Sequence, residues 1–566
     1  MQHHFLDANA HLIDQLRYRD ELFKINPEKI YPWWRIPCKV KVLLLTDGAL
    51  DFGTGDFGLS TFVSILKNDG RFYVDFDITI AHRGSFVGDP GIPVTRSIPS
   101  FRFTNASHFT STMYDQVWLF GIRTADLVGD RLSDAELTAL SAFMNAGGGV
   151  FATGDHGQLG QGLCGSITRV RKMRRWDNGS NEVGMSDPRR NDTNRPGHDA
   201  GSQFDDQSDD IPQTIQPKLY SSRWGGFWRE TYPHPLLCSP LGRISVLPDH
   251  PHEGECVEPA NLTGNYIDGT PEFPGGIAPE VIAWSTVLAG NTAGGSKQAT
   301  QAQTFGAICA YDGHKANVGR VVTDATWHHF VNVNLIGEQF DFEGNRGSGE
   351  HSSKVNGFLS STSGQQHLAQ IKHYFINIGV WIARKDNHSC FNSRFIWQLI
   401  FQHRIIEAAT DNPGIRFDKI SPALLYSIGT HATDVLGRKA SQCRRLRLII
   451  DIFEVVHPPL AELIDPWRPK RDFEPNPPIP WFDYNPVIAM AIAGGLIAVR
   501  DNFVNDKIKN ANKISSKDIL SVFTEGAGRG TELAMNTLTD DLRKMESLTA
   551  SFKKQSTNIK SQRKKK

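Results

Sequence analysis

A succession of short apolar runs, spaced by segments of helical periodicity, limits the fold of this chain more than any other feature of its sequence. Residues 39–46 (KVKVLLLT) stop at Asp47, residues 115–120 (DQVWLF) at Gly121, and residues 150–153 (VFAT) at Gly154. Residues 73–80 alternate apolar and polar side chains and read as a further strand. Between the runs, 59–66 reads as a helix with Ser60 near its start. Residues 133–145 form a second helix, opened by a capping box of Ser133 and Glu136 and closed by Gly147. Such alternation is the pattern of a parallel sheet covered by helices. In such sheets, ligands bind beyond the carboxyl ends of the strands. The run Gly147-Gly148-Gly149-Val150-Phe151-Ala152-Thr153-Gly154-Asp155-His156 therefore delivers an acid and an imidazole to a place where they can act.

The pattern breaks after residue 170. Residues 171–235 are rich in Asp, Arg, Asn, Gly, Pro and Trp, with little periodicity and too great a length for an ordinary connection. The insertion as a whole is expected to span 171–280 and to fold over the carboxyl edge of the sheet. Strands resume at 281–285, 305–311 and 318–323, and 367–383 reads as a docking helix. Residues 1–37 read as an N-terminal extension and 38–384 as the α/β domain. Residues 385–552 read as a mainly helical domain, with helices over 391–409, 443–456, 486–499 and 532–548. The last stretch, 553–566, has seven basic residues and no acidic one, and is expected to be a disordered tail.

Three clusters could do chemistry: Asp155-His156; His250, His252 and Glu253 with their acidic neighbours; and Asp324 with His328 and His329. The first and third each end an expected parallel strand, so they should meet at one edge. Imidazole and carboxylate together suit Zn, Mn or Fe, with one position left for a water that becomes a nucleophile near neutral pH. The expected metal ligands are His156, His250, His252, Glu253, His328 and His329. The expected catalytic residues are Asp155, His156, Asp324 and His328. The rival chemistry needs no metal: one histidine is the general base and Asp155 or Asp324 orients it. The loop Gly53-Thr54-Gly55-Asp56-Phe57-Gly58 matches a dinucleotide fingerprint literally, but its first Gly falls several residues past the strand end. A loop at the rim of the site is the expected role. Trp224, Trp228 and Trp327 could supply flat apolar walls.

DQVWLF, the capped helix and NAGGGVFATGDH, followed late in the chain by Gly319-Arg320-Val321 and His328, resemble the class I glutamine amidotransferase-like superfamily, most of all its trehalose-utilisation (ThuA-like) branch. The resemblance covers roughly 38–384 and implies a flavodoxin-like parallel sheet flanked by helices. It also implies a link to carbohydrate metabolism. Active glutamine amidotransferases carry a cysteine nucleophile at the strand-to-helix elbow. This chain has Gly154-Asp155-His156-Gly157 there, so glutaminase activity is not expected.

Charge adds little. Lys plus Arg and Asp plus Glu are 61 each, so no global field points to nucleic acid, except through the basic tail. The seven cysteines are scattered and odd in number, which predicts reduced thiols in a cytoplasmic protein. Residues 1–20 hold no apolar core of a secretory signal, and 487–499 is too short to span a bilayer. The chain thus reads as a metal-assisted hydrolase of a small polar substrate. The alternative is a non-catalytic ligand-binding or scaffold protein that meets a protein partner through its helical domain.

Overall fold

The structure, a computed structural model, describes residues 37–69, 73–126, 129, 131–155, 157–176, 212–222, 231–248, 253–287, 303–337, 356–409, 416–468, 483–503 and 514–563. Its main elements, in chain order, are β1 (Cys38–Thr46), α1 (Ser60–Asn68), β2 (Val74–His82), β3 (Arg96–Ile98), β4 (Gln116–Phe120), α2 (Asp134–Asn145) and β5 (Gly149–Thr153). They continue with β6 (Gln216–Pro217), β7 (Glu280–Val287), β8 (Gln303–Tyr311), β9 (Val321–Asp324), α3 (Thr362–Trp381), α4 (Lys385–Trp397), α5 (Pro422–Lys439), α6 (Gln442–Val456), α7 (Asn485–Phe503) and α8 (Ser516–Arg563).

One sheet of nine strands organises the protein, in the order β3-β2-β1-β4-β5-β9-β8-β7-β6. The pairs from β3 through β9 are parallel. The strands β4, β5 and β9 are buried along their whole length, as expected of a parallel sheet covered on both faces. Beyond β9 the sheet turns antiparallel through β8, β7 and β6, so it is mixed and not purely parallel. The reason is local. Between Tyr311 and Val321 the chain makes only a tight turn over Gly313–Ala316, too short for the crossover of a dozen or more residues that a parallel pair needs.

Register levels the strand ends. Thr46 pairs with Phe120, Phe120 with Thr153, and Thr153 with Asp324. The residues just past this row, from Asp47, Gly121, Gly154 and Ala325 onward, therefore share one edge. The glycine triplet before β5 serves packing. Gly147 sits at φ +89°, which favours glycine. A Cβ on Gly148 would strike the Phe143 ring, and one on Gly149 would strike the carbonyl of Ile382. The capping box is formed as the sequence predicts: the Ser133 side chain accepts from Glu136 N–H, and the Glu136 side chain accepts from Ser133 N–H.

The helical region packs on the sheet as part of one apolar core that runs from Cys38 to Ala534. The rings of Tyr73 and Phe395 pack at a tilt of 41°, with centroids 4.6 Å apart, across that junction. α5 was not anticipated. α4 begins earlier than the sequence suggests and ends in a π turn over Gln398–Gln402. α7 is long and apolar enough to cross a membrane, but 72 % of its apolar stretch is buried within the protein. Gly494 lets its backbone meet Gly526 and Gly530 of α8. The basic end, expected to be disordered, continues α8 as far as Arg563. No glycine or proline interrupts 531–563, and its Lys, Arg, Gln and Leu are good helix formers.

The expectation of reduced thiols is corrected for one pair. Cys38 at the start of β1 and Cys390 on α4 form a disulfide, with Cα atoms 6.1 Å apart and 352 residues between them in sequence. Cys164, Cys238, Cys256, Cys309 and Cys443 are free and buried. Alkylation of the denatured, unreduced protein should label those five, with labelling at Cys38 and Cys390 appearing only after reductant. Label on all seven without reductant, read by peptide mass spectrometry, would remove the bridge.

Candidate active site at the carboxyl edge of the sheet

The ends of β5 and β9 meet as their register requires, and hydrogen bonds lock them together. Trp327 N–H donates to Gly154 O at 3.0 Å. The buried Arg174 guanidinium donates to Ala325 O at 2.9 Å and to Asp155 O, and lies over the Trp176 ring at 4.4 Å. The Thr326 hydroxyl donates to Asp155 Oδ1 at 2.7 Å and accepts from His328 N–H at 3.0 Å. This last pair starts the 3₁₀ turn Trp327–His329, which points consecutive imidazoles in different directions.

His328 turns to Asp155. Its Nε2 lies 3.5 Å from Asp155 Oδ2. That is longer than a settled hydrogen bond, as catalytic pairs often are before substrate tightens them. The His328 ring stacks on Trp327 at 3.7 Å, and the edge of Phe57 approaches it at 5.8 Å. Phe57 is 46 % exposed, so the pair lies just beneath the surface. His329 turns inward and is fully buried. Its Nδ1 meets Asp324 Oδ1 at 2.7 Å and its Nε2 meets Gln213 Oε1 at 3.3 Å. Both ring nitrogens face oxygen acceptors, which suits an imidazolium. Burial works against that charge, but Asp324 and Glu253 outweigh it and the imidazole is pushed up to about 10. Tyr374 OH donates to Asp324 Oδ2 at 2.6 Å.

Glu253 is the one residue of the middle cluster's candidate ligands that lies within the described structure. It is fully buried, with Oε1 3.8 Å from His329 Nε2. Neither of its oxygens has a hydrogen-bond donor among the described residues, and burial raises its carboxyl pKa. His156, His250, His252, Trp224 and Trp228 lie outside the described residues. Among the described residues, no group of three His, Cys, Asp or Glu side chains is disposed to hold a metal ion.

The glycine loop lies at the rim, as expected. The Asn332 amide donates to Gly53 O at 3.2 Å and to Gly55 O at 2.7 Å, and its Oδ1 accepts from Thr61 N–H at 2.9 Å. Asn332 thus takes the helix N-terminus that a dinucleotide phosphate would need. Cys164 offers no thiolate in place of the missing elbow cysteine. It is buried, its Sγ faces Thr153 O at 3.4 Å, and burial pushes its thiol up. Asp47, at the end of β1, is absorbed by the N–H groups of Ile122 at 2.7 Å and Arg123 at 3.2 Å. A cavity of about 500 Å³ lies at the other end of β9, but its guanidinium groups are paired, Arg320 with Asp312 at 2.7 Å and Arg447 with Asp451 at 2.8 Å.

Sequence reasoning missed Thr326, Arg174, Gln213 and Tyr374. Only Thr326 left a signal, as a hydroxyl two residues before His328 where a turn begins. Compared with protein-family models, curated proteins and solved structures, the chain matches none.

Proposed function

We propose that Asp155 and His328 form the acid–base centre of a hydrolase acting on a small polar, carbohydrate-related substrate. The observation that carries this reading is the Thr326 hydroxyl, which binds the Asp155 carboxylate and the backbone of His328 at once. With the short edge strand β3 set aside, the parallel strands β2-β1-β4-β5-β9 follow the flavodoxin-like order. That order agrees with the amidotransferase-like resemblance.

In this reading, the carboxylate of Asp155 keeps the His328 proton on Nε2. The basic lone pair is then on Nδ1, which takes a proton from water as that water attacks the substrate. The same imidazole returns the proton to the leaving group. Phe57, exposed beside the imidazole, provides apolar surface for a sugar-like ring, while the buried Trp327 backs the imidazole from below. The described residues do not by themselves make a metal set, since both nitrogens of His329 are engaged. A divalent metal would draw on His156, His250, His252 and Glu253.

The test is a panel of chromogenic esters, amides and glycosides, with elemental analysis of the same preparations. Turnover that is lost in His328→Ala is the expected result. No turnover on any substrate class, with or without added Zn, Mn or Fe, would favour the ligand-binding or scaffold reading. A divalent ion present in the wild type and lost in Glu253→Gln would make Glu253 a ligand.

A further inference from the structure

The first half of α8 is built into the protein and the second half is not. Ile519, Phe523, Ala527 and Ala534 are buried, whereas every residue from Thr539 to Gln555 is exposed. A lone helix of that length is marginal in water. Exposed pairs on it such as Arg543–Asp540 at 3.4 Å and Lys544–Asp541 at 3.2 Å add little.

The uncovered part carries a seam. Leu538, Leu542, Met545, Thr549 and Phe552 follow one another in alternating steps of four and three, the heptad spacing of helices that pair with helices. Leu542 is 57 % exposed, Met545 63 %, the adjoining Leu548 58 % and Phe552 68 %. Asp541 and Lys553 border the stripe, which leaves it narrow. A helix lying on a membrane needs a broad apolar face and a basic polar one. Here the polar face holds Asp540 and Glu546 as well as Arg543 and Lys544.

Charge selects the partner. Acidic Asp541 and Glu546 flank the seam at one end, and basic Lys553 flanks it at the other. A parallel copy would lay acid on acid. An antiparallel copy lays the acidic end of one helix over the basic end of the other. We propose that the exposed half of α8 docks against the same segment of a second copy of this chain. The two helices run antiparallel, with Thr549 and Phe552 in facing layers and Glu546 opposite Lys553 of the second copy.

Sedimentation of the full chain over a micromolar range should show a monomer–dimer equilibrium. Leu542→Asp with Met545→Asp should shift it to monomer, with the near-ultraviolet circular dichroism of the body unchanged. A variant combining Glu546→Cys with Lys553→Cys should oxidise to a covalent dimer bridged between positions 546 and 553 of different copies, read by peptide mass spectrometry. Bridges between like positions would mean a parallel pair and overturn the proposal. So would a wild type that stays monomeric, including one that instead binds phosphatidylserine vesicles through this helix.

Discussion

Asp324→Asn is expected to cost the folded state about 3–5 kcal/mol, the usual penalty for removing one partner of a buried ion pair. Asp324 is fully buried and has three partners: His329 Nδ1 at 2.7 Å, the Tyr374 hydroxyl at 2.6 Å and Thr326 N–H at 3.3 Å. The neutral amide keeps the shape and removes the charge, leaving the His329 imidazolium only Glu253, 3.8 Å away, to oppose its charge. The effect carries a pH signature. The His329 imidazole is raised to about 10 in the fold, against about 6.5 in an unfolded chain. Its contribution is complete below about pH 6.5 and is lost as pH rises through about 10, because in that window the folded state holds the proton and the unfolded state does not. Urea unfolding at pH 6, 8 and 10 should therefore show wild-type stability falling with pH and the variant falling less. If Asp324→Asn does not fold, Tyr374→Phe removes only one hydrogen bond to the same carboxylate, at about 1.5–3 kcal/mol. A wild-type stability that is flat from pH 6 to 10 would remove the imidazolium.

How much of this arrangement could be read beforehand follows from the range of the interactions involved. β4, β5 and β9 were legible because a strand buried on both faces reads as a continuous apolar run. α2 was legible because its cap is local, Ser133 to Glu136. The meeting of Asp155 with Asp324 and His328 followed from placing two strand ends on one edge. The division of labour between His328 and His329 did not follow, because it depends on a 3₁₀ turn set by Thr326. Tyr374 and Arg174 reach the site from elements whose sequences carry no sign of it. The Cys38–Cys390 bridge joins residues 352 apart, beyond any local pattern. α5 was hidden by Gly429 and Gly437, which weaken a helical reading. At Gly429 the reason is tertiary: a Cβ there would strike the carbonyl of Ala489 on α7.

The two histidine–carboxylate pairs differ in what each can do. Asp324–His329 is closed, since both imidazole nitrogens and both carboxylate oxygens meet protein groups. It holds charge and shape behind the site. Asp155–His328 lies nearer the surface, beside exposed Phe57, with a contact still long enough to tighten. Arg174 links them by holding Asp155 O and Ala325 O, so a shift of one pair would be felt at the other. In the proposed mechanism, substitutions in Asp324–His329 act on stability and those in Asp155–His328 on turnover, so the two readouts should separate.

Asp155→Asn is accordingly expected to lower turnover on the order of 10⁴-fold, the loss seen when an orienting carboxylate becomes an amide. The amide oxygen can still accept from the Thr326 hydroxyl, as Oδ1 does at 2.7 Å. Its NH₂ group would then face His328 Nε2 and donate to it. Nε2 becomes the acceptor, the ring proton moves to Nδ1, and the lone pair needed to take a proton from water is turned away from the substrate side. Thr326→Val leaves the carboxylate and removes only the hydroxyl that positions it, so its loss should be smaller, on the order of 10²-fold. The order wild type, Thr326→Val, Asp155→Asn in kcat, with circular dichroism confirming that each variant is folded, is the expected result on whichever substrate the panel identifies. Equal turnover in wild type and Asp155→Asn would show that His328 does not depend on this carboxylate and would end the acid–base assignment.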